Sequence, residues 1–484
     1  MSLTHKIAKN TFWQILGRGI GLFFSLISLG LITRYLGVEG FGNYVTIFTF
    51  LQLFSILADL GLNLMSVQLI SEITDKDEVV HQQKTNDIFS NIFTLRLVSV
   101  FVLLCIAPIV VWFFPYPAQV KYGVLICCVG FLCISLVQIL QSVFQKNIEM
   151  NKPAISDVVS KASFLAGVYL VTIKNWNLYG VLGFLVLSHL IHFVLLFYWS
   201  RKFVRVRFLV QLSVWKEIFK RSWPLSLSII FNLVYLKADI LILSLYYKQD
   251  VVGIYGAAYR AIDVLTVFPY LFVGLLLPIL SLAWAENNKE RFMSILQKGF
   301  DALTIIAAPL VVGVIFLSKP IMVLIAGKEF EGSGSVLRVL IIALGMIYIG
   351  NVFSHSVVAI DKQKSMMRGY LFAAVTSLFG YFIFIPLYSY WGAVGVTLYS
   401  ETLITVLSFL MVVKTVKRWP KFTVLLKSIV ASGVMALFLY FMSRLNLFII
   451  IPLAVAVYFG VMFLIGGVRV GLVGEVLNLR GRGE

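Results

Sequence analysis

The chain has 484 residues, of which 60% are hydrophobic and only 13% are charged, about half the charged share of soluble domains. These proportions exclude a soluble globular protein, a disordered protein and a disulfide-rich secreted module. The net charge of +18 is typical of a membrane protein whose cytoplasmic loops are rich in lysine and arginine.

Long apolar runs, interrupted by charged or turn residues, predict fourteen membrane-spanning helices. Because one span needs roughly 20 apolar residues, fourteen spans consume nearly the whole chain and leave no room for a sizeable aqueous domain. Between the sixth and seventh spans, the basic segment 201–221 carries large apolar residues at helical spacing and predicts an amphipathic surface helix. The predicted spans cover residues 12–33, 43–67, 88–114, 122–144, 155–173, 178–199, 223–246, 255–282, 300–318, 336–358, 368–388, 391–413, 424–443 and 447–466.

The distribution of lysine and arginine predicts the orientation of the chain. The two termini and the loops on their side carry 27 of the 40 lysines and arginines, and the opposite loops carry 7. Because cytoplasmic loops are enriched in these residues, both termini are expected in the cytoplasm. We therefore predict a multi-pass protein of the inner (cytoplasmic) membrane with an even number of spans.

Short segments recur along the chain at an offset of 211 or 212 residues. Gly42-Asn43-Tyr44 matches residues 253–255, the segment 179–183 matches 391–395, and 149–152 matches 361–364. Each copy of the repeat contains six spans, so the copies share one orientation and are expected to be related by a pseudo-twofold axis along the membrane normal.

The predicted fold is an all-α polytopic membrane protein built from two six-helix lobes and two additional C-terminal spans. The N-lobe covers residues 1–212, the C-lobe covers 213–420, and the last two spans with a cytoplasmic tail cover 421–484. We expect the substrate path to lie between the lobes.

Ionisable groups at membrane depth are costly to bury, and they are therefore candidate functional residues. In the first, second, seventh and eighth predicted spans such groups share one helix face with other polar or small residues. Stripes of this kind are expected to face another helix or a water-filled cavity rather than lipid. The stripe on the first span follows Gln14, Arg18, Gly21, Ser25 and Ser28.

These membrane-depth residues predict a site for an anionic substrate. Arginine is permanently charged and binds two oxygens at once, which suits a phosphate or pyrophosphate headgroup. The predicted substrate-binding residues are Arg18, Arg260, Lys237 and Asn232. The predicted counter-charges, which would hold these cations in the empty site or bind a coupling H⁺ or Na⁺, are Asp59, Asp239, Asp263 and Glu401.

Structural interpretations of the same charges stay open. Arg260 and Asp263 are three residues apart on one helix and would neutralise each other. Asp157 and Lys161 are four residues apart and form a similar pair, and Arg96 is typical of an interhelical or interfacial anchor.

Missing motifs narrow the class of function. The chain has no G-x-x-x-x-G-K-[ST] motif, which argues against ATP-driven transport by this chain alone. Its longest predicted loops, near 200–222 and 283–299, are short for the catalytic domain of a polymerase or glycosyltransferase. His189 and His192 have no evident third ligand, so we predict no metal site. We also predict no other cofactor and no enzymatic activity.

Two blocks of the sequence carry a family resemblance. The first block covers residues 9–13 and 32–44 (ITRYLGVEGFGNY), and the second covers 237–243 and 252–260 (VGIYGAAYR). They resemble the polysaccharide transporter family, the flippases for O-antigen and related repeat units in the multidrug/oligosaccharidyl-lipid/polysaccharide exporter superfamily. The resemblance implies translocation of undecaprenyl-pyrophosphate-linked oligosaccharide, for O-antigen, capsule or exopolysaccharide, by alternating access of two lobes. Among the candidate site residues it carries over to Lys237, Asp239 and Arg260, which lie inside the matching block.

The resemblance also sets the expected partners and the alternatives. The partners it implies are the lipid-linked oligosaccharide, membrane lipid and polysaccharide assembly proteins, and nucleic acid is not expected. A multidrug exporter of organic cations is the first alternative, although such a protein would favour an acidic cavity. A membrane polysaccharide polymerase is the second, and it would need an essential residue on an outer loop.

Overall fold

The computed structural model describes residues 3–467 except 60, 73–76 and 443–444, and it describes only the backbone of 3–9, 11–12, 15, 64, 78, 224–225, 227–229 and 232–236. Over this part of the chain the structure has fourteen α-helices and no strand. A short 3-10 helix, Lys328–Phe330, precedes α10. The helices are α1 (Leu3–Leu57), α2 (Leu62–Ser71), α3 (Glu78–Trp112), α4 (Ala118–Lys146), α5 (Asn151–Lys174), α6 (Asn177–Ser200), α7 (Leu212–Tyr246), α8 (Gln249–Ala285), α9 (Lys289–Ala326), α10 (Glu331–Ala359), α11 (Gln363–Tyr388), α12 (Tyr390–Val416), α13 (Thr423–Phe441) and α14 (Leu447–Leu464).

The prediction of an all-α, multi-pass membrane protein is confirmed. Twelve helices in the described part of the chain are long and apolar enough to cross a membrane. The 55-residue α1 counts once among them, although it holds the first predicted span and most of the second. The helix α7, which matches the seventh predicted span, is not one of the twelve, and α3–α14 follow the third to fourteenth predicted spans in order.

A kink at Gly37 separates the two predicted spans that α1 contains. The backbone of Gly37 has φ +65° and ψ −175°, a conformation that glycine adopts without the steric cost paid by residues with a Cβ atom. The residues on both sides are helical, so the chain turns here without an intervening loop.

The connection between α6 and α7 differs from the prediction. Residues 204–211, which we call the strap, are not helical, and α7 begins only at Leu212. The predicted surface helix over 201–221 is therefore wrong in its first half. Alternate backbone N–H groups of the strap instead donate to polar side chains of α3, as Arg205 does to Asn86 (2.9 Å), Arg207 to Ser90 (3.0 Å) and Leu209 to Thr94 (3.2 Å).

The strap and α3 fit each other because their repeats have the same length. Two extended residues rise roughly 6.6 Å, and the four helical residues between successive acceptors rise roughly 6.0 Å. Each side-chain acceptor on α3 therefore meets an N–H group that a surface helix would have used internally. The alternation of valine and arginine over residues 204–207 favours an extended segment, and this long-range match satisfies its backbone donors.

The chain divides into two compact units. Unit 1 comprises Met1–Gly256 with Ile325–Glu329 and Leu378–Ala393, and unit 2 comprises Ala257–Leu324, Phe330–Ser377 and Val394–Glu484. This division rests on contacts within the chain and does not test a division by sequence repeat. The lobes with boundaries at 212 and 420 therefore stay a prediction.

Repeat-equivalent residues contact each other within unit 1. A Cβ atom added to Gly42 would overlap the carbonyl oxygen of Gln249, and one added to Gly253 would overlap that of Val38. The two contacts are equivalent at the repeat offset, because adding 211 to 38 and 42 gives 249 and 253. Reciprocal contacts of this kind are what a twofold axis between the copies would produce, and they require glycine at both positions.

Each unit has an apolar core. In unit 1, Phe89, Leu140 and Phe144 belong to a buried cluster contributed by α3, α4 and neighbouring helices. In unit 2, residues of α13 and α14 pack together around Met435 and Tyr458. These cores hold the spans at fixed positions, so the polar residues described next are placed by a rigid framework.

Candidate functional site

Arg18 lies on the first half of α1, in unit 1, and its side chain is exposed. It forms no ion pair or hydrogen bond with a residue of the described part of the chain. One turn further along, a Cβ atom added to Gly21 would lie 2.9 Å from Lys161 Nζ and 3.1 Å from Asp157 Oδ2. The Asp157–Lys161 ion pair, 2.8 Å long, therefore packs against α1 beside the Arg18 stripe.

The Asp157–Lys161 pair extends the polar surface from α1 to α5 and α6. Both side chains are about one-third exposed, and the imidazole of His192 on α6 lies within their electrostatic range. A structural role was predicted for this pair. The sequence signal for its place beside the Arg18 stripe was Gly21, because a glycine allows a neighbouring helix to approach closely. This surface carries the cations Arg18 and Lys161 and the single carboxylate Asp157, so its net charge suits an anion.

Asp59 is held by a partner that the site prediction did not include. Its Oδ1 atom lies 2.7 Å from Nη1 of Arg96, whose side chain is fully buried. Arg96 also donates to the Gln138 side chain (2.8 Å) and to the backbone carbonyl of Ser135 (3.4 Å). Arg96 thus has an anchoring environment, as one of the sequence interpretations expected.

The candidates on α7 lie in unit 1 and in a different environment. Asp239 is fully buried, and the Tyr255 hydroxyl donates to its Oδ2 atom at 2.5 Å. Lys237 is half-buried. The side chain of Asn232 lies outside the described residues, so its predicted role stays a prediction. The Tyr255 contact fixes Asp239 to the first turns of α8, a pairing that charge patterns alone do not reveal.

Arg260 and Asp263 lie on α8 in unit 2 and face each other loosely. Nη1 of Arg260 is 4.0 Å from Oδ2 of Asp263, and the two side chains are 27% and 37% exposed. The expected contact three residues apart is present, and it is long and partly exposed.

Glu401 lies on α12 in unit 2 and is 6% exposed. It forms no ion pair or hydrogen bond with a described residue, although Tyr270 and Tyr370 lie within electrostatic range of its carboxylate. A buried carboxyl group without a cationic partner is costly to ionise, so it favours a proton or a bound cation. The two tyrosines were not predicted, because they come from different helices with no common spacing.

The predicted cations are divided between the two units. Arg18 and Lys237 belong to unit 1, and Arg260 belongs to unit 2. No group of three or more His, Cys, Asp or Glu side chains arranged to hold a metal ion is found in the described part of the chain. The arrangement offers exposed guanidinium groups for an anionic ligand and one buried carboxyl group for a small cation.

Comparison with known sequences identifies relatives along most of the chain. Residues 7–284 match the family described as polysaccharide biosynthesis protein, and 224–383 match the MatE family. A candidate O-antigen transporter from Shigella dysenteriae is 25% identical over 84% of this chain and 100% of its own length. The capsular polysaccharide biosynthesis protein CapF from Staphylococcus aureus is 22% identical over 54% of this chain and 69% of its own length.

Solved structures share the fold. The lipid II flippase MurJ in an inward closed conformation has a TM-score of 0.75 at 18% identity, covering 95% of this chain and 98% of that chain. An inward-facing multidrug resistance transporter of the MATE family has a TM-score of 0.67 at 14% identity, covering 84% of this chain and 98% of that chain. At these identities the likeness shows the fold alone. The family match covers more than half of the chain, so this multi-pass membrane protein belongs to the polysaccharide biosynthesis protein family.

Proposed function

We propose that this protein is a flippase that moves undecaprenyl-pyrophosphate-linked oligosaccharide across the cytoplasmic membrane by alternating access. The observation that carries the proposal is the match along the entire length of the candidate O-antigen transporter, in a chain with a transporter fold. The substrate is an O-antigen, capsule or exopolysaccharide repeat unit on its lipid carrier, and its passage requires no covalent chemistry by the protein.

The charges assign a mechanism to this substrate. A pyrophosphate carries charge into a low-dielectric region, where only fixed, ionised partners offset the cost of desolvation. Arg18 is exposed and forms no ion pair or hydrogen bond with a described residue, and the side chain of Arg260 is 27% exposed. We assign both arginines to the headgroup, with Lys237 and Asn232 as further ligands on α7.

The carboxylates divide into three roles under this proposal. Asp59 is committed to Arg96, and Asp239 to Tyr255, so both act mainly by fixing helices. Asp263 holds Arg260 in the empty site and releases it to the substrate. Glu401 is the coupling group, because a buried carboxyl without a cationic partner exchanges a proton or Na⁺ as its surroundings open and close.

The orientation belongs to the same proposal. The excess of lysine and arginine on the terminal side places both termini in the cytoplasm. Arg18 then lies in the cytoplasmic half of the membrane, where the substrate would first bind, and Arg260 lies in the outer half.

The test is a leaflet assay of lipid-linked sugars in a strain that lacks this protein. We expect a pyrophosphate-linked unit to accumulate on the cytoplasmic leaflet, to be relieved by the natural chain and to persist with Arg18→Ala. Lys289→Ala, an exposed cytoplasmic-side control, should relieve it as the natural chain does. Normal relief by an Arg18→Ala/Arg260→Ala variant expressed at natural levels would overturn the site assignment.

The match of residues 224–383 to the MatE family supports a second candidate, an exporter of organic cations. That function requires anionic ligands, and the exposed candidates Arg18 and Arg260 have the opposite charge. The null strain separates the two functions. Sensitivity to cationic drugs without accumulation of lipid-linked sugar would favour the exporter, and accumulation on the outer leaflet would favour a polymerase acting later.

A further inference from the structure

A hollow lies between the first turns of α3 and the segment that follows α6, within unit 1. Its volume is about 770 Å³, in the range of roughly 300–1,000 Å³ typical of ligand sites. We propose that this hollow binds the phosphate headgroup of an anionic phospholipid from the surrounding bilayer. The proposed headgroup ligands Arg18 and Arg260 are not in its lining, and its cations entered the sequence analysis only in the count of basic loop residues.

The strap builds one wall of the hollow and directs its cations. The backbone N–H groups of Arg205 and Arg207 are bound to α3 side chains, so the strap keeps a fixed position along that helix. Gln82 adds a further link by donating from Nε2 to the carbonyl oxygen of Phe203 at 2.7 Å. A site whose two walls, α3 and the segment after α6, are fixed to each other loses little conformational entropy when a ligand binds.

The charge of the hollow selects an anion. Its lining holds four cations, Arg201, Lys202, Arg205 and Arg207, and one carboxylate, Asp87. The Arg205 and Arg207 side chains are exposed and form no ion pair with a described residue. Amide groups from α3 complete the lining, and amides and guanidinium groups are the donors that bind phosphate oxygens.

The other two cations of the lining, Arg201 and Lys202, make contacts that do not neutralise them. The Arg201 guanidinium stacks over the ring of Phe197 at 5.2 Å, which fixes its direction without neutralising it. Lys202 lies 3.9 Å from Glu149, a long contact between side chains of which Lys202 is 68% exposed. An exposed pair of this length contributes little, so the net charge of the hollow stays positive.

The surroundings favour a lipid over a soluble phosphate compound. The polar first turns of α3 give way to apolar residues at Ile88, so the hollow lies where the helix enters the membrane. Val79 in its lining is 75% exposed, and Phe208 and Val210 on the strap are 80% and 60% exposed. Cations beside exposed apolar side chains are typical of a surface that meets a headgroup and its acyl chains together.

The test titrates the purified full-length protein in detergent with dioleoylphosphatidylglycerol and counts bound lipid by native mass spectrometry. Each basic residue near an anionic headgroup contributes a factor of about five in affinity, so Arg205→Gln/Arg207→Gln should bind about 30-fold more weakly. Arg207→Gln alone should lose about five-fold. The matched control is Lys362→Gln/Lys364→Gln, two exposed cations on the same predicted side but outside the hollow, which should bind as the natural protein does.

Three results would overturn the proposal, and none depends on transport activity. The first is equal affinity of the natural protein and both Arg variants for the anionic lipid. The second is equal binding of dioleoylphosphatidylcholine, which would mean that acyl chains and not headgroup charge hold the lipid. The third is displacement of the bound lipid by inorganic phosphate, which would make the hollow a site for free anions.

Discussion

One charged pair of unit 1 and one charged pair of unit 2 differ in length and in burial. In unit 1, Asp59 and Arg96 are 2.7 Å apart, and the arginine is fully buried among further acceptors. In unit 2, Arg260 and Asp263 are 4.0 Å apart and partly exposed. A closed pair such as Asp59–Arg96 repays its desolvation through short contacts and fixes the turn after α1 to α3, whereas an open pair such as Arg260–Asp263 is longer and keeps its charges partly exposed. The difference separates charges that build the protein from charges that serve its substrate.

The largest effect on stability is expected at the closed pair, Asp59–Arg96. Arg96→Met leaves Asp59 buried without its cation, and loss of one member of a buried pair costs about 3–5 kcal/mol of unfolding free energy. We expect a much lower yield of folded protein and a lower thermal unfolding temperature in detergent. Asp59→Asn/Arg96→Met removes the orphaned charge and should recover part of the loss. An Arg96→Met protein that unfolds at the natural temperature would contradict the assignment.

The open pair should show the reverse pattern, with lost transport and a normal fold. Arg260→Gln removes a partly exposed charge, so the unfolding temperature should stay near that of the natural protein. Transport in the leaflet assay should fall at least about tenfold, since a charge-assisted hydrogen bond contributes roughly 1.5–3 kcal/mol. Arg260→Lys keeps the charge but not the two-pronged geometry, and it should fall between the two. Equal losses of folding and transport would mean that the open pair, like the closed one, serves to stabilise the fold.

The sequence predicts the fold better than it predicts the partners of each charge. Apolar runs identify the spans because a membrane helix satisfies its own backbone, and length and hydropathy are local properties. The partner of Asp59 is Arg96 on another helix, and the partner of Asp239 is Tyr255, so both pairings depend on helix packing that no local spacing encodes. The strap was missed for the same reason, because its backbone donors are satisfied by side chains of α3 more than a hundred residues away.

Glu401 is buried like Asp59 but has no cationic partner among the described residues. Glu401→Gln removes a charge that is costly at this depth, so the fold should be retained or slightly stabilised. Transport should fall severalfold and lose its response to an imposed proton or Na⁺ gradient in proteoliposomes. Asp361→Asn, an exposed carboxylate in the same unit, is the control and should keep the response. A Glu401→Gln protein that still responds to both gradients would place the coupling elsewhere.

The smallest effect is expected at an exposed pair of unit 1, between Glu72 after α2 and Arg221 on α7. Arg221 Nη1 lies 2.9 Å from Glu72 Oε2, and Gln68 donates to the other oxygen at 2.7 Å. The Gln68 hydrogen bond, followed by the bond and charge of Arg221, lowers the pKa of Glu72 below its ordinary value of 4.5. These contacts therefore stabilise the fold above pH 4.5, and the contribution disappears as the pH falls through the lowered pKa.

The measurement is the difference in unfolding temperature between the natural protein and Glu72→Gln across that pH range. The difference should be small and constant near neutral pH, and it should vanish in acid once the carboxylate is protonated in both states. High salt should reduce it, because the pair is open to solvent, whereas the effect of Arg96→Met should persist in salt because that pair is buried. Arg221→Gln is the partner control and should remove part of the same difference. A Glu72 effect that grows toward acid, or that resists salt as the buried pair does, would mean that exposure does not decide how these charges contribute.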